Sequence, residues 1–550
     1  MGLVEENVAE NIDHFSRDAR STLKGDSFCS ICVGIALVLP IVYTIVSLFI
    51  LPTVYSDSAT GFHIWEAMRR GAPFNYEIGP NPADISRDAQ AFFTNWTPGQ
   101  YIFPGLLELL GLSLGHAIIL VAGIFSLVGT IGWLKLYDAL GFPPRVAAIT
   151  VVIVVCSRNF ALPFGHYNGG EVLLFGGAPW FLLLVWRLRS FPWLALPLIV
   201  AASLAVVFLK LTGALVAGAA IGAAVLAERV WPVTTDVIRR VAIAGASLLV
   251  FALMFYCFWY ARGPTPATMT GEVYWWKFIP HSSFALVAVT GSSISLGDLA
   301  EYILFRGEKP LFTSHEALTY VMLPFALAVI GYVWWRLSRL RPQYSRFVFW
   351  MALSFSSVLV LSWVLGGKVG EYEDRHFRII SLLLLPAIVE AFTTNRLAVI
   401  RGGFWIFVTL VSLYGVSSFV VHIRENLRYP LDRLGIRQNI ASQGALDFFH
   451  RVDSATPACP APLIYVTSPE LGLDRRDARL ISSHADFETI EQLSSRQYHG
   501  RVPCLYVLIE DKLVANGKAE AILKSFVDYP LHGWTKQPLD SYVAYFVTAN

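Results

Sequence analysis

Charge is what this 550-residue chain has little of: Asp, Glu, Lys and Arg make up 15% of it, against about a quarter in a soluble globular protein. That shortfall, beside 55% hydrophobic residues, excludes an ordinary water-soluble protein and makes the bilayer its solvent. The 42 basic and 40 acidic residues leave a formal net charge of +2, so there is no electrostatic footprint for nucleic acid. Also lacking are a repeat of fixed period and a low-complexity tract and, in the region after about 440, a Gly-rich phosphate loop and a His or Cys cluster at metal-ligand spacing. The first absence excludes solenoids and weakens the case for an inverted-repeat transporter. Cysteine is scarce too. Of the six, Cys29, Cys32, Cys156 and Cys257 lie in or beside apolar runs, and the Cys29-x-x-Cys32 spacing reads as two small buried residues in preference to a redox or zinc pair. Cys459 and Cys504 fall in a polar C-terminal region and are candidates for a disulfide.

What is abundant is long apolar sequence. A helix needs about twenty apolar residues to cross roughly 30 Å of hydrocarbon. About eleven runs qualify, near 29–51, 115–137, 146–164, 170–187, 191–209, 211–228, 240–260, 317–336, 346–366, 378–395 and 403–423. The run 101–113 is too short and is broken by Pro104 and Gly105, which reads as a re-entrant or surface helix. Basic residues cluster on alternate connections: Arg17, Arg20 and Lys24; Lys135 and Arg145; Arg187 and Arg189; Arg229, Arg239 and Arg240; Arg336, Arg339, Arg341 and Arg346; Arg396 and Arg401. Positively charged loops stay in the cytoplasm, which places the N-terminus inside. The loop 55–103, the segment 262–315, the turn 367–377 and the tail from 424 then lie outside. A charged head, 1–28, precedes the first run, and no small-residue cleavage site follows it, so that run reads as a retained span.

The expected class is an all-α polytopic membrane protein, 29–423, followed by a small extracytoplasmic α/β domain, 424–550. In the latter, Leu463 to Val466, Cys504 to Ile509 and Tyr542 to Val547 read as strands, and Ala441 to Arg451, Asp486 to Arg496 and Gly517 to Val527 as helices.

The polar loop after the first span opens on Tyr55-Ser56-Asp57-Ser58. Asp57 is either a helix N-cap or a base able to take a proton from a bound hydroxyl. Phe62, Trp65 and Met68 recur at helical spacing, as on a helix lying at the membrane surface. Trp96 and Tyr101 suit interfacial anchoring or sugar stacking. The stretch Phe164-Gly165-His166-Tyr167-Asn168-Gly169-Gly170-Glu171 brings a histidine and a second acid to the same face, and Lys210 reads as a snorkelling side chain. In the turn at 367–377, Arg375 and His376, with Arg378, sit at the start of an inward-running span. Cations are locally unfavourable at a helix N-terminus. There they either bind an external phosphate or are neutralised by Glu373 and Asp374 as helix caps.

These residues together resemble the GT-C superfamily of integral-membrane glycosyltransferases, which includes the protein mannosyltransferases and the lipid A aminoarabinose transferases. Asp57 matches the aspartate opening the first loop, Gly71-Ala72-Pro73 and Thr97-Pro98-Gly99-Gln100-Tyr101-Ile102-Phe103-Pro104 match its later segments, and Arg375-His376-Phe377-Arg378 with Leu384-Leu385-Pro386 is similar to the late arginine-rich step. Ser58 stands where the superfamily commonly has the second acid of an Asp-Glu pair. The resemblance implies a polyprenyl-phosphate-linked sugar donor, a glycan, lipid or protein acceptor, Asp57 as general base with inversion, and Arg375, Arg378, His376 and Lys368 at the donor phosphate. His63, Glu66, Asp84, Asp88, Trp96, Tyr101, His166 and Glu171 become candidates for the acceptor or sugar pocket, and His166 with Glu171 for a divalent cation. The expected location is a bacterial inner membrane, and an endoplasmic reticulum face would have the same topology. The competing classes are a transporter or flippase for an amphiphilic anion and a structural assembly factor.

Overall fold

The computed structural model describes residues 27–189, 193–228, 233–263, 273, 275–304, 315–366 and 372–548. Arg17, Arg20, Lys24, Arg229 and Lys368 lie outside the described residues.

The chain is a bundle of apolar helices with a small mixed-sheet domain set on one end. Among the described residues, eight helices are long and apolar enough to cross a membrane, or up to ten if each of two bent pairs is one span. This differs from the eleven expected in three places. The run 146–164 is broken into Pro144–Val155 and Arg158–Gly165, bent by 44°. The runs 191–209 and 211–228 form Ala195–Leu209 and Gly213–Ala227, helices of 15 residues each, about 22 Å long. Within 262–315, expected as an exterior segment, Trp275–Ile294 and Leu296–Ile303 form a bent pair at 98°, with Phe284, Ala285 and Ala288 buried in the bundle. Gly291-Ser292-Ser293 and Ser295 interrupt that apolar run, and Ser295 takes a left-handed φ of 57°. No uninterrupted stretch of spanning length is left to read.

Polar contacts sort the helix termini into two ends. At one, Arg341 pairs with Glu390 at 2.9 Å and Arg336 donates to the Thr394 carbonyl at 3.1 Å. At the other, Asn426 donates to the carbonyls of Leu51 and Gly165 at 3.2 and 2.7 Å, and the Arg437 Nε donates to Ile50 O at 3.1 Å. The segregation of basic loops from candidate residues seen in sequence is thus a spatial one.

The first loop is folded throughout. A two-residue strand β1 (Thr53–Val54) leads into the helix Ser56–Arg69. An antiparallel hairpin follows, β2 (Tyr76–Asn81) and β3 (Asp84–Phe92), and then the short helix Gly99–Leu109. Phe62 and Trp65 are buried, and the Trp65 indole donates to Glu108 at 2.8 Å. The helix expected on the membrane surface is therefore enclosed by protein. Strand β1 pairs in parallel with β4 (His166–Tyr167), and the Tyr55 amide donates to Tyr167 O at 2.9 Å. This small bridge sets the start of the Asp57 helix beside the start of the helix Gly170–Arg187.

The C-terminal sheet has five strands in the order β6-β5-β7-β9-β8: Arg479–Ser482, Leu463–Val466, Cys504–Glu510, Tyr542–Thr548 and Thr535–Leu539. Strands β6, β5 and β7 are parallel, and β9 is antiparallel to β7 and β8. Alternation along β5 sends Leu463 and Tyr465 into one core with Val507 and Phe526, and Ile464 and Val466 into a second with Leu446 and Phe449, as a strand covered on both faces requires. Cys459 and Cys504 are bridged, with Cα atoms 5.7 Å apart.

Candidate active site

Arg375 is the hub of the site. It lies in the 3₁₀ turn Asp374–Phe377, which feeds the helix Arg378–Thr393. Its guanidinium reaches Glu373 at 2.6 Å, Glu171 at 3.5 Å and Asp57 at 3.6 Å. Cations at a helix N-terminus oppose the helix dipole, and here carboxylates from two other segments offset that cost. Glu373 also binds His376 at 3.2 Å. Neither Glu373 nor Asp374 caps the helix through its side chain; Glu373 is spent on Arg375 and His376, and Asp374 is buried with Oδ2 unpartnered.

Asp57 is in the first turn of its helix, and Tyr55, two residues earlier, holds the N-cap position. Burial pushes the Asp57 carboxyl above the ordinary carboxylate range; Arg375 and His484 act to lower it, and Glu171 and Glu373 to raise it. Glu373 behaves oppositely: burial acts to raise it, but hydrogen bonding to His376 and the charge of Arg375 outweigh that and hold it at about 2. One carboxylate is thus fixed in its charged form, while the other is poised to accept a proton.

Two cavities meet at Arg375 and Asn168, which line both. The larger, about 640 Å³, is walled by Tyr55, Arg158, His166, Asp298, Arg378 and His422 among others. Arg158 is held by Asp298 at 2.7 Å. The Arg378 Nε is buried without a hydrogen-bond partner. The smaller, about 140 Å³, is walled by Asp57, Trp96, Thr97, Gln100, Glu171 and Lys210 among others. A third cavity of about 320 Å³ is almost wholly apolar, with Thr290 the one polar side chain in its lining. It includes Ile294 and Leu296 at the 98° bend, where the next residue, Gly297, lines the large polar cavity.

Of the residues singled out in the sequence, Asp57, Trp96, His166, Glu171, Arg375, His376 and Arg378 line one cavity or the other. Lys210, Glu373 and Asp374 line them too, and five of the pocket candidates are elsewhere. His63 is buried, with Nε2 2.9 Å from Pro469 O of the C-terminal domain. Glu66 pairs with Arg70 at 2.9 Å. Asp84 accepts from the Ser86 hydroxyl at 2.6 Å, and Asp88 binds Arg479 at 2.6 Å. The buried Tyr101 donates to Asn75 Oδ1. These side chains hold the loop together or fasten it to the C-terminal domain.

The pairing of His166 with Glu171 does not suit a divalent cation. Glu171 is held by Lys210 and Arg375, and the His166 Nδ1 is 2.6 Å from the Thr53 hydroxyl. No group of three or more His, Cys, Asp or Glu placed to hold a metal occurs among the described residues.

Lys210, expected to snorkel, is instead buried against Glu171. The turn between the two short helices delivers it there, and a carboxylate 39 residues away gives no local signal. Thr97, Gln100 and Asn168 fall within segments noted in the sequence but carry no charge or ring to mark them there as site residues. His484 enters from just beyond β6, its Nε2 3.1 Å from the Thr60 hydroxyl one turn along from Asp57. Thr60 spends its own proton on Ser56 O at 3.1 Å, so His484 donates through Nε2.

No family model matches the chain, and no curated protein matches it. Among solved structures it is similar to ArnT from Cupriavidus metallidurans in the apo state, at 12% identity over 94% of this chain and 97% of that one, with a TM-score of 0.48. It is also similar to the same protein bound to undecaprenyl phosphate, at 14% identity, 95% and 98% coverage and a TM-score of 0.49. The arabinofuranosyltransferase AftD from Mycobacteria is similar at 15% identity over 95% of this chain and 40% of that one, with a TM-score of 0.39.

Proposed function

We propose that this protein is an integral-membrane glycosyltransferase that moves a sugar from a polyprenyl-phosphate donor to an acceptor hydroxyl outside the cytoplasm, in a bacterial inner membrane. One observation carries the reading: a half-buried carboxylate, Asp57, stands 3.6 Å from a guanidinium, Arg375, where a polar cavity of about 640 Å³ meets one of about 140 Å³. A base and an anion-holding cation 3.6 Å apart suit a displacement in which a proton leaves one reactant and negative charge appears on the other.

In this reading the donor phosphate takes Arg375 and Arg378 as its partners. Arg378 brings an unpartnered buried Nε, and Arg375 exchanges a carboxylate for the phosphate. Asp57, released from its cation, accepts the proton of the acceptor hydroxyl. The acceptor oxygen attacks the anomeric carbon, the bond from that carbon to the phosphate oxygen breaks, and its electron pair stays on the phosphate, where the arginines stabilise it. A single displacement inverts the anomeric configuration. The apolar cavity beginning at Ile294 and Leu296 suits the polyprenyl tail, since it adjoins the polar cavity at Gly297. The N-terminus is inside and the C-terminal domain outside, by the distribution of basic loops.

The test is binding of polyprenyl phosphate without sugar, read as a rise in melting temperature of the full chain in detergent. Arg378→Gln is expected to weaken binding about tenfold or more, since a charged hydrogen bond contributes about 1.5–3 kcal/mol. Asp57→Asn is expected to keep it. Equal stabilisation of Arg378→Gln and wild type would remove the phosphate site.

A further inference from the structure

The smaller cavity presents polar atoms that the protein leaves unsatisfied. Thr97 Oγ1, Gln100 Nε2 and Asn168 Oδ1 all belong to its lining, all are buried, and none has a hydrogen-bond partner. Thr97 is 2% exposed and Gln100 5%. Each buried group left unmade costs about 1–3 kcal/mol, so three around one cavity call for a ligand that supplies the partners.

Their chemistry describes that ligand. Thr97 can donate or accept, the Gln100 amide donates and the Asn168 carbonyl accepts. Hydroxyl groups, which do both, answer all three. Each of these charged side chains already has a partner of opposite sign: Lys210 is paired with Glu171, and Arg375 with Glu171, Glu373 and Asp57. A neutral ligand therefore suits the cavity better than an ion. Trp96, stacked on Phe93 with ring centroids 5.3 Å apart and planes 12° from parallel, adds a flat apolar wall of the kind that packs on the C–H face of a sugar. At about 140 Å³ the space is well below the roughly 300–1,000 Å³ of pockets for drug-sized ligands. Taken by itself, the smaller cavity has room for about one ring.

We propose that this cavity is the subsite for a single neutral sugar ring, the one carried by the donor, with Thr97, Gln100 and Asn168 reading its hydroxyls. The assignment to the donor rests on the transferase reading. Arg375 lines both cavities, so a phosphate held there has its sugar, one bond further on, in the smaller one.

The experiment is saturation-transfer NMR on the full chain in nanodiscs with free mannose, glucose, galactose and arabinose in turn, and maltose as a two-ring control. At least one monosaccharide is expected to receive saturation and maltose none. Gln100→Leu and the near-isosteric Thr97→Val should each reduce the affinity about tenfold, with the stabilisation by polyprenyl phosphate unchanged as evidence of folding. Asp57→Asn should keep the signal. No saturation of any monosaccharide, or a signal unaltered in both variants, overturns the subsite. If wild type transfers sugar and that result is obtained, the subsite alone fails. If the signal behaves as expected but no donor is turned over, the subsite stands and the transferase reading fails.

Discussion

Arg375 holds three carboxylates at once, and their different fates make the site a pH-dependent one. A base works only when ionised, and burial lifts Asp57 above the usual carboxylate range. Transfer is therefore expected to fall as pH drops through that raised pKa and to level off above it. Because Arg375 is the strongest influence acting to lower Asp57, Arg375→Gln should move the acid limb to higher pH. A pH profile of kcat/KM checks both, and a limb that moves down would contradict the assignment. Lys210 and Glu171 make a second residue-scale prediction. Removing one member of a buried ion pair costs up to about 3–5 kcal/mol, and Arg375, 3.5 Å from Glu171, offsets part of that, so Lys210→Met should lower the melting temperature. The double variant with Glu171→Gln should recover much of the loss. Asp57, Glu171 and Arg375 were legible in the sequence because charged residues bordering apolar runs are rare enough to need a reason. Lys210 was not, because a lone lysine at a helix end already has a sufficient local explanation.

At the scale of elements, the site is set by two short connections. The β1–β4 bridge brings Asp57 to the Gly169-Gly170 turn, and Gly169 adopts φ 77° and ψ −125°, a conformation open only to glycine. A Cβ there would also collide with Gln100 Oε1 and lie 2.8 Å from Ser58 Oγ. Gly169→Ala is expected to reduce transfer at least tenfold and to lower the melting temperature. Gly218→Ala, in the helix Gly213–Ala227 with nothing within 4 Å, should be neutral or stabilising by up to about 1 kcal/mol. Measuring both by thermal unfolding and turnover separates crowding from a general loss of glycine. Long helices and the β-rich strands β5, β7 and β9 were readable from periodicity. The hairpin β2–β3 was not: β3 is largely exposed and polar apart from Ile85 and Phe92, so it shows no clean alternation. The bent pair near Ser295 was hidden because its apolar residues are split by glycine and serine.

The whole molecule is a helical bundle whose first loop and C-terminal domain close over one end. The hairpin is part of that seam: the Ile85 amide donates to His499 O at 2.7 Å, and the His499 amide to Pro82 O at 2.8 Å. The C-terminal domain thus also brings His484 to the Asp57 helix, which no reading of either segment alone could show. The Cys459–Cys504 bridge spans 45 residues, which by loop-closure entropy contributes about 3–4 kcal/mol. Cys459→Ala should lower the unfolding temperature of this domain, and maleimide should label both cysteines in intact membranes only after reduction, since disulfides persist on the oxidising side. Labelling without reduction would place the domain inside. The central claim is sugar transfer with Asp57 as base. Its most direct measurement is release of polyprenyl phosphate from polyprenyl-phosphate-linked mannose, glucose, galactose and arabinose by the purified chain, with a membrane extract from the expressing cells as acceptor. Wild type should release lipid phosphate from at least one donor, and Asp57→Asn should lose at least about a thousandfold in rate while still binding polyprenyl phosphate. Undiminished release by Asp57→Asn would contradict the account.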